Sequence, residues 1–275
     1  MALPGWLQAL RGASTRSAQD IPDELWLHAL QQFPFLQLRS QGELKRLRRL
    51  SRGFLDCKQF HGADGLQITD RIAVSVAAQA CLPILNLGPT PEVLQWYDDF
   101  VGVVLYPGEM LARREQTDDA GIVHQYQEVL SGEAMQDGPV ALSWSDVAAG
   151  GASAQQGYNV VIHEFVHKLD MRDGCADGCP PLPPGFMGQS GAQAARKLWL
   201  GTLETCYQRF REQVIIAERF GGEAPWLDAY GAESIDEFFA VASEAYFVNR
   251  PRFASDFGTL VPLCDACFNA ASPVP

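Results

Sequence analysis

The chain has 275 residues, of which 21 are Lys or Arg and 33 are Asp or Glu, so its formal net charge is −12. Such an acidic chain repels nucleic-acid phosphates and anionic membrane surfaces, which excludes non-specific nucleic-acid binding as its main activity. Hydrophobic residues make up 47% of the sequence and aromatic residues 10%, enough to form a core and to exclude general disorder.

The N-terminal third of the sequence predicts helices. Residues 1–20 are rich in Gly, Ser and Ala, and we expect them to be flexible. From Pro22 onward apolar residues recur with helical spacing, and a basic helix is predicted over residues 44–52. This helix is either a docking face for an acidic partner or an ordinary solvated surface. Thr69 is expected to cap the next helix, and residues 21–88 form a predicted N-terminal helical region.

Strands are predicted in the middle of the chain, where the apolar pattern changes. The strand segments are residues 101–106, 122–130 and 140–144. Helices return from Val160 onward. Helices followed by a few strands and then by more helices indicate an α+β fold with a small sheet.

The most informative segment is the predicted helix over residues 160–170. It contains His163, Glu164 and His167 in the pattern HExxH. Residues four apart share a helix face, so both imidazoles can reach one metal ion, and Glu164 can take a proton from metal-bound water. Asp170 lies on the histidine side, where it could accept the second ring N–H of a ligand. The segment therefore predicts a Zn²⁺ site.

A catalytic zinc site needs a third protein ligand. No histidine follows His167, so we expect a carboxylate or a thiolate further along the chain. Glu237 and Glu244 lie seven residues apart on one face of a helix predicted over residues 234–247. Ser234 and Glu237 also fit a capping box, which would give Glu237 a purely structural role. The spacing alone leaves both glutamates as candidates.

Cysteine usage and the N-terminus bear on the compartment. The N-terminus lacks the basic and apolar regions of a secretory signal, so we expect a cytoplasmic protein. The chain has 7 cysteines, which in a reducing compartment should be free thiols. Two cysteine pairs could form a four-thiolate zinc site, although nothing in the spacing requires the pairs to meet. These pairs are Cys175 with Cys179 and Cys264 with Cys267.

Residues 230–240, YGAESIDEFFA, resemble the third-ligand helix of the Mlc titration factor A family of bacterial zinc peptidases, whose active site is similar to that of the anthrax lethal factor catalytic domain. The resemblance covers about residues 21–258, with departures at residues 172–184 and at the C-terminal cysteines. It implies that Glu237 is the third zinc ligand. It also implies that Tyr230 donates a hydrogen bond to the substrate carbonyl as a catalytic residue.

The resemblance implies a zincin-like metallopeptidase with its catalytic domain over residues 89–262 and a C-terminal tail over residues 263–275. The expected activity is aminopeptidase-type hydrolysis of peptide bonds by metal-activated water, with Zn²⁺ bound by two histidines and a glutamate. In such peptidases an edge strand pairs with the extended substrate, and residues 140–144 are either that strand or an ordinary buried strand.

The resemblance also implies a link to the regulation of sugar uptake through binding of the glucose repressor Mlc. The expected partners are therefore a peptide or protein substrate and an Mlc-like transcriptional repressor, with no direct contact to nucleic acid or membrane. An alternative is a protein that chiefly sequesters a repressor and whose hydrolysis is secondary or regulated by that partner. The basic helix over residues 44–52 favours this alternative.

Overall fold

The computed structural model describes residues 20–117 and 123–269, and the side chains of these residues other than 111–128. The predicted flexible segment 1–20 lies outside the described residues except for its last position. In the described part of the chain, no helix combines the length and the apolar character that crossing a membrane requires.

The N-terminal region contains three helices, and side-chain caps fix the first turns of the second and the third. They are α1 (Asp23–Gln32), α2 (Gln41–Cys57) and α3 (Asp70–Ala80). Ser40 and Glu43 form a reciprocal capping box at the start of α2. The Thr69 side chain accepts a hydrogen bond of 3.3 Å from the Ile72 backbone N–H, so the predicted cap of α3 is confirmed.

The main sheet of the described residues has four strands in the order β1-β2-β6-β5. These strands are β1 (Gln59–Gly62), β2 (Gly102–Tyr106), β5 (Gly132–Ala134) and β6 (Val140–Ser143). β2 pairs in parallel with β1 and β6, whereas β5 runs antiparallel to β6. A separate antiparallel hairpin contains β3 (Met110–Thr117) and β4 (Val123–Leu130).

The three predicted strand segments are confirmed, and of the two alternatives for residues 140–144 the buried strand is confirmed and the edge strand is wrong. β6 lies inside the sheet between β2 and β5, so both of its edges are paired. β1 and β5 are the edge strands of this sheet within the described residues, and β5 is the one beside β6. Its three residues are too few for an alternating pattern to mark them in the sequence.

Helices form most of the chain after β6. They are α4 (Trp144–Ser153), α5 (Val160–Asp170), α6 (Ala192–Phe220), α7 (Ile235–Val248), α8 (Arg250–Asp256) and α9 (Val261–Phe268). The chain is thus a mixed, mostly helical α+β protein with a small sheet, as the order of sequence patterns predicts.

The central element is α5, which carries the HExxH residues. All 11 of its residues are buried, because α3, α7, β5 and β6 surround it. The Asn159 side chain caps its first turn by accepting a hydrogen bond of 2.9 Å from the Ile162 backbone N–H. Phe165 packs edge-on against Tyr97, with ring centroids 5.1 Å apart, and also contacts Phe54. The contact with Phe54 attaches the N-terminal helical region to α5.

A buried lysine attaches α5 to the hairpin formed by β5 and β6. Lys168 is 0% exposed, and its Nζ lies 2.7 Å from an Asp99 carboxylate oxygen. The same ammonium donates to the backbone carbonyls of Met135, at 2.7 Å, and Gly138, at 3.2 Å. Breaking a buried pair of this kind typically costs about 3–5 kcal/mol. The turn of the hairpin is therefore held firmly against the helix.

One continuous apolar core runs from Ile21 to Phe268. The boundary between residues 88 and 89 stays a prediction, since side chains from both of its sides share this core. The segment from residue 263, predicted as a tail, begins inside α9, where Leu263, Cys264 and Phe268 are buried. The apolar surface of these residues contributes to the core. The sequence does not indicate this, because small residues follow them at the end of the chain.

Candidate metal centre

Two helices bring three candidate ligand atoms together. α5 carries His163 and His167, whose Nε2 atoms lie 3.1 Å apart. α7 carries Glu237, whose Oε2 lies 3.1 Å from Nε2 of His163 and 3.2 Å from Nε2 of His167. Within the described part of the chain, this is the group of His, Cys, Asp and Glu side chains whose geometry could hold a metal ion. The three residues predicted as ligands are thus neighbours in space.

The donor set fits a divalent cation. Nδ1 of His163 lies 2.7 Å from Oε1 of Glu244. Because a carboxylate accepts hydrogen bonds, this contact places a ring proton on Nδ1 and directs the Nε2 lone pair toward Glu237. Lone pairs of two imidazoles and a carboxylate repel one another at such distances unless positive charge lies between them. Two histidines and one glutamate are also a common ligand set of catalytic zinc.

The pKa shifts indicate the same preference for positive charge. Burial lowers the pKa of His163, but the negative charge of Glu244 and hydrogen bonds to both glutamates raise it well above its ordinary value. Burial raises the pKa of Glu237, but hydrogen bonds with His163 and His167 outweigh burial and hold it well below the ordinary value. His163 and Glu237 thus lie in a field that stabilises added positive charge.

Glu164 is buried beside the candidate ligands without being one of the converging atoms. Its side chain is on α5, and only 5% of the residue is exposed. Burial raises the pKa of this carboxyl group to about 7, although the neighbouring His163 and His167 lower it. A carboxyl group in that range can both accept and return a proton near neutral pH.

A cavity of about 350 Å³ opens over the candidate ligands. β5 forms one wall through Gly132, Glu133 and Ala134, and α5 and α7 form others. Among the lining residues that the structure describes, no lysine or arginine occurs. The carboxylates that line the cavity are Glu133, Glu164, Asp228, Asp236, Glu237 and Glu244. The cavity is therefore a negatively charged cleft with a sheet edge along one side.

Tyr230 reaches the same cavity from the segment before α7. The Asp228 carboxylate accepts a hydrogen bond of 3.0 Å from the Tyr230 backbone N–H, which fixes the local turn. The Tyr230 hydroxyl donates to Oε1 of Glu237 at 3.2 Å. The ring centroid lies 6.1 Å from that of His163. The phenol is thus directed at the candidate metal centre.

The predicted role of Asp170 is wrong, and Glu244 takes that role on the other histidine. Nδ1 of His167 and Oδ1 of Asp170 are both buried without a hydrogen-bond partner. Oδ2 of Asp170 instead accepts from the Gly178 backbone N–H at 2.8 Å, which anchors the loop after α5. Glu244 orients His163 and also accepts a hydrogen bond from the Asn159 backbone N–H. In the sequence, Glu244 is indicated by its position seven residues after Glu237, on the same helix face.

Comparison with known proteins assigns a family to this fold and cleft. The family described as glucose-regulated metallo-peptidase M90 matches residues 7–269. The chain belongs to this family. The family is one of metallopeptidases, in agreement with a His–His–Glu centre.

Relatives named Mlc titration factor A show the same match. The protein from Klebsiella pneumoniae (strain 342) is 34% identical over 236 residues, covering 86% of this chain and 82% of the relative. The Salmonella arizonae protein is 34% identical over 239 residues, covering 86% and 87%. An Escherichia coli O1:K1 / APEC protein is 33% identical over 236 residues, covering 86% and 82%. The resemblance found in the sequence is therefore confirmed.

In this M90 peptidase most of the basic residues of α2 bind parts of the fold. Arg46 donates to the Leu85 carbonyl and to Asn86. Arg48 donates to the Ile21 carbonyl and pairs with Asp23 and Asp20. Arg52 pairs with Asp56 on the same helix. Lys45 and Arg49 are the exposed basic residues of the predicted segment. The basic pattern therefore has a structural explanation, and the docking interpretation loses its main support.

The cysteines of this M90 peptidase are free thiols, as expected. Cys179, Cys264 and Cys267 are buried, whereas Cys175 is exposed. Among the described residues, which include all seven cysteines, they form no group with metal-binding geometry. The four-thiolate site considered from the sequence is thus absent from this part of the chain.

Proposed function

We propose that this M90 family member is a cytoplasmic zinc-dependent peptidase in which His163, His167 and Glu237 bind Zn²⁺ and Glu164 is the general base. The observation that carries the proposal is the meeting of three ligand atoms at 3.1–3.2 Å beside a buried carboxyl group. The family supplies the reaction class. The free cysteines are typical of a reducing compartment and support the cytoplasm.

The residues around the centre divide the chemistry among them. When bound, zinc acts as a Lewis acid that polarises the attacking water and the scissile carbonyl. Glu164 takes the proton of the attacking water at a carboxylate oxygen and returns it to the leaving amine. Glu244 holds the ring of His163 through Nδ1 and keeps Nε2 directed at the centre. The Tyr230 hydroxyl donates a hydrogen bond to Glu237 in the cavity and would donate to the carbonyl oxygen of a bound substrate.

The substrate proposed for this cleft is an extended peptide with a free amino terminus. In the sheet that the described residues form, β5 is an outer strand that pairs with β6 on one side, and its outer edge is the place where a substrate strand would form backbone hydrogen bonds. The carboxylates of Asp228 and Asp236 line the cavity, and no lysine or arginine occurs among the described lining residues. Such a wall favours the ammonium group of an aminopeptidase substrate.

We also propose, from the name of its relatives, that the protein binds an Mlc-like repressor. Binding of this kind would link the peptidase to the regulation of sugar uptake. α2 does not supply an obvious surface for it, since Arg46, Arg48 and Arg52 are bound within the fold.

Metal removal tests the proposed function. The purified protein should contain one equivalent of zinc and cleave peptides of a mixed library. Chelation should abolish cleavage, and one equivalent of Zn²⁺ should restore it. Libraries with free and with acetylated amino termini separate aminopeptidase from endopeptidase activity, since an acetyl group removes the ammonium charge. Full cleavage by a preparation that metal analysis finds empty would contradict the proposal.

The Tyr230→Phe variant tests the role of the phenol. Charge develops on the carbonyl oxygen as water attacks, so the lost donor should matter mainly in the transition state. We expect kcat to fall about 100- to 1,000-fold with little change in KM, measured by steady-state peptide cleavage. Zinc content, measured on the same sample, should stay near the wild-type value. An unchanged kcat, with chemistry limiting turnover, would assign the Tyr230 hydroxyl a structural role on Glu237.

A further inference from the structure

β5 lies directly against the side chain of Glu164. A Cβ atom built on Gly132 would be 2.3 Å from Oε1 of Glu164 and 2.7 Å from its Cδ and Cγ atoms. Real Cβ atoms do not approach other heavy atoms so closely, and Gly132 is not among the glycines with positive φ. The backbone conformation at Gly132 therefore tolerates other residues, and the space occupied by Glu164 is what requires glycine.

Neither the strand nor the helix has room to give way. Gly132 pairs with Leu142 of β6, and the Ser143 backbone N–H donates to the Ser131 carbonyl at 2.7 Å. The hairpin turn is bound to Lys168 on α5, the same helix that carries Glu164. α5 itself is buried along its whole length. A side chain at position 132 would therefore be accommodated mainly by rotation of Glu164 away from its present position.

We propose that Gly132 is a positioning residue for Glu164. Its bare backbone forms the wall on which the carboxylate rests, and this contact fixes the direction of the carboxylate oxygens relative to His163 and His167. The proposal rests on the proposed function, in which Glu164 is the general base. Since Gly132 belongs to β5, the same strand positions the general base and provides the backbone edge with which a substrate would pair.

The Gly132→Ala variant tests the catalytic part. A misplacement of about 1 Å can cost about 100-fold in rate, so we expect kcat to fall about 10- to 100-fold. KM should change by less than about threefold, because the edge hydrogen bonds remain. Zinc content should equal that of the wild type. Gly201→Ala is the matched control, since a Cβ at this exposed position meets nothing within 4 Å, and its kcat should be unchanged.

Thermal unfolding tests the contact independently of activity. Gly132→Ala should lower the Tm, and adding Glu164→Ala should restore most of the loss, because the second substitution removes the overlapping carboxylate. A Tm loss that Glu164→Ala leaves unrepaired, or a wild-type kcat for Gly132→Ala, would overturn the proposal. If Glu164→Gln kept full activity while the Tm pattern held, the proposed function would fail and the contact would stand.

Discussion

Replacing Glu164 by Gln is expected to reduce peptide hydrolysis by about 100- to 10,000-fold, the usual range for loss of a general base. Gln keeps the shape of the side chain but cannot take the proton of the attacking water. Zinc should remain at wild-type stoichiometry, because Glu164 is not among the three atoms that converge at 3.1–3.2 Å. Steady-state cleavage and metal analysis of the same preparation measure both effects.

The control for this variant is Glu212→Gln, which removes an exposed carboxylate of α6 outside the cavity lining. It should retain wild-type activity and zinc content. The Gln variant at position 164 should also melt at or above the wild-type Tm, since burial raises the pKa of this carboxyl and so disfavours its charged form. Full activity in a folded and zinc-loaded Glu164→Gln protein would remove Glu164 from the mechanism.

Substitutions at Glu237 and Glu244 should separate a metal ligand from the residue that orients one. Glu237→Ala deletes one of three ligand atoms, and we expect zinc affinity to fall by more than about 100-fold. This exceeds the loss that is typical for residues that only hydrogen-bond to a ligand. Glu244→Gln keeps an oxygen that can accept from Nδ1 of His163, so its loss should be at most about 10-fold. Competition with a chelator of known zinc affinity measures both variants.

The order of the two effects is the decisive result. If the Glu244 variant lost zinc and the Glu237 variant retained it, the ligand assignment would be wrong. Glu237 would then be a helix-capping residue, since its backbone N–H already bonds to the Ser234 side chain at 3.4 Å. Circular dichroism on both proteins controls for unfolding.

The sequence predicts the parts of the site that depend on neighbouring residues. The HExxH spacing places His163 and His167 on one helix face, because four residues make about one turn. The cap at Thr69 is local in the same sense. Glu237 could not be chosen in this way, because it lies 74 residues after His163 and approaches it only through the packing of two helices. Resemblance to a family made that choice.

The remaining differences also arise from contacts between distant segments. Which strand forms the edge depends on the order of pairing, and no local pattern distinguishes β6 from its neighbours. The helix face on which Asp170 lies does not determine its hydrogen-bond partner. The carboxylate accepts from the Gly178 backbone N–H and not from a histidine. Counting charges identifies Arg46 and Arg48 as basic, but it does not reveal the carbonyls of Leu85 and Ile21 that bind them.

The complete burial of α5 has a consequence for how the protein opens. Helices at a surface exchange their amide protons through local fraying, but Val160–Asp170 has no exposed end at which fraying could start. Its amides should therefore exchange with solvent only when the entire core separates. His163 and His167 lie on this helix, so partial unfolding of the helix would not separate them from a bound metal ion. A metal ion would then have to enter and leave through the cleft that Glu237 and Tyr230 line, with rearrangement of these two side chains.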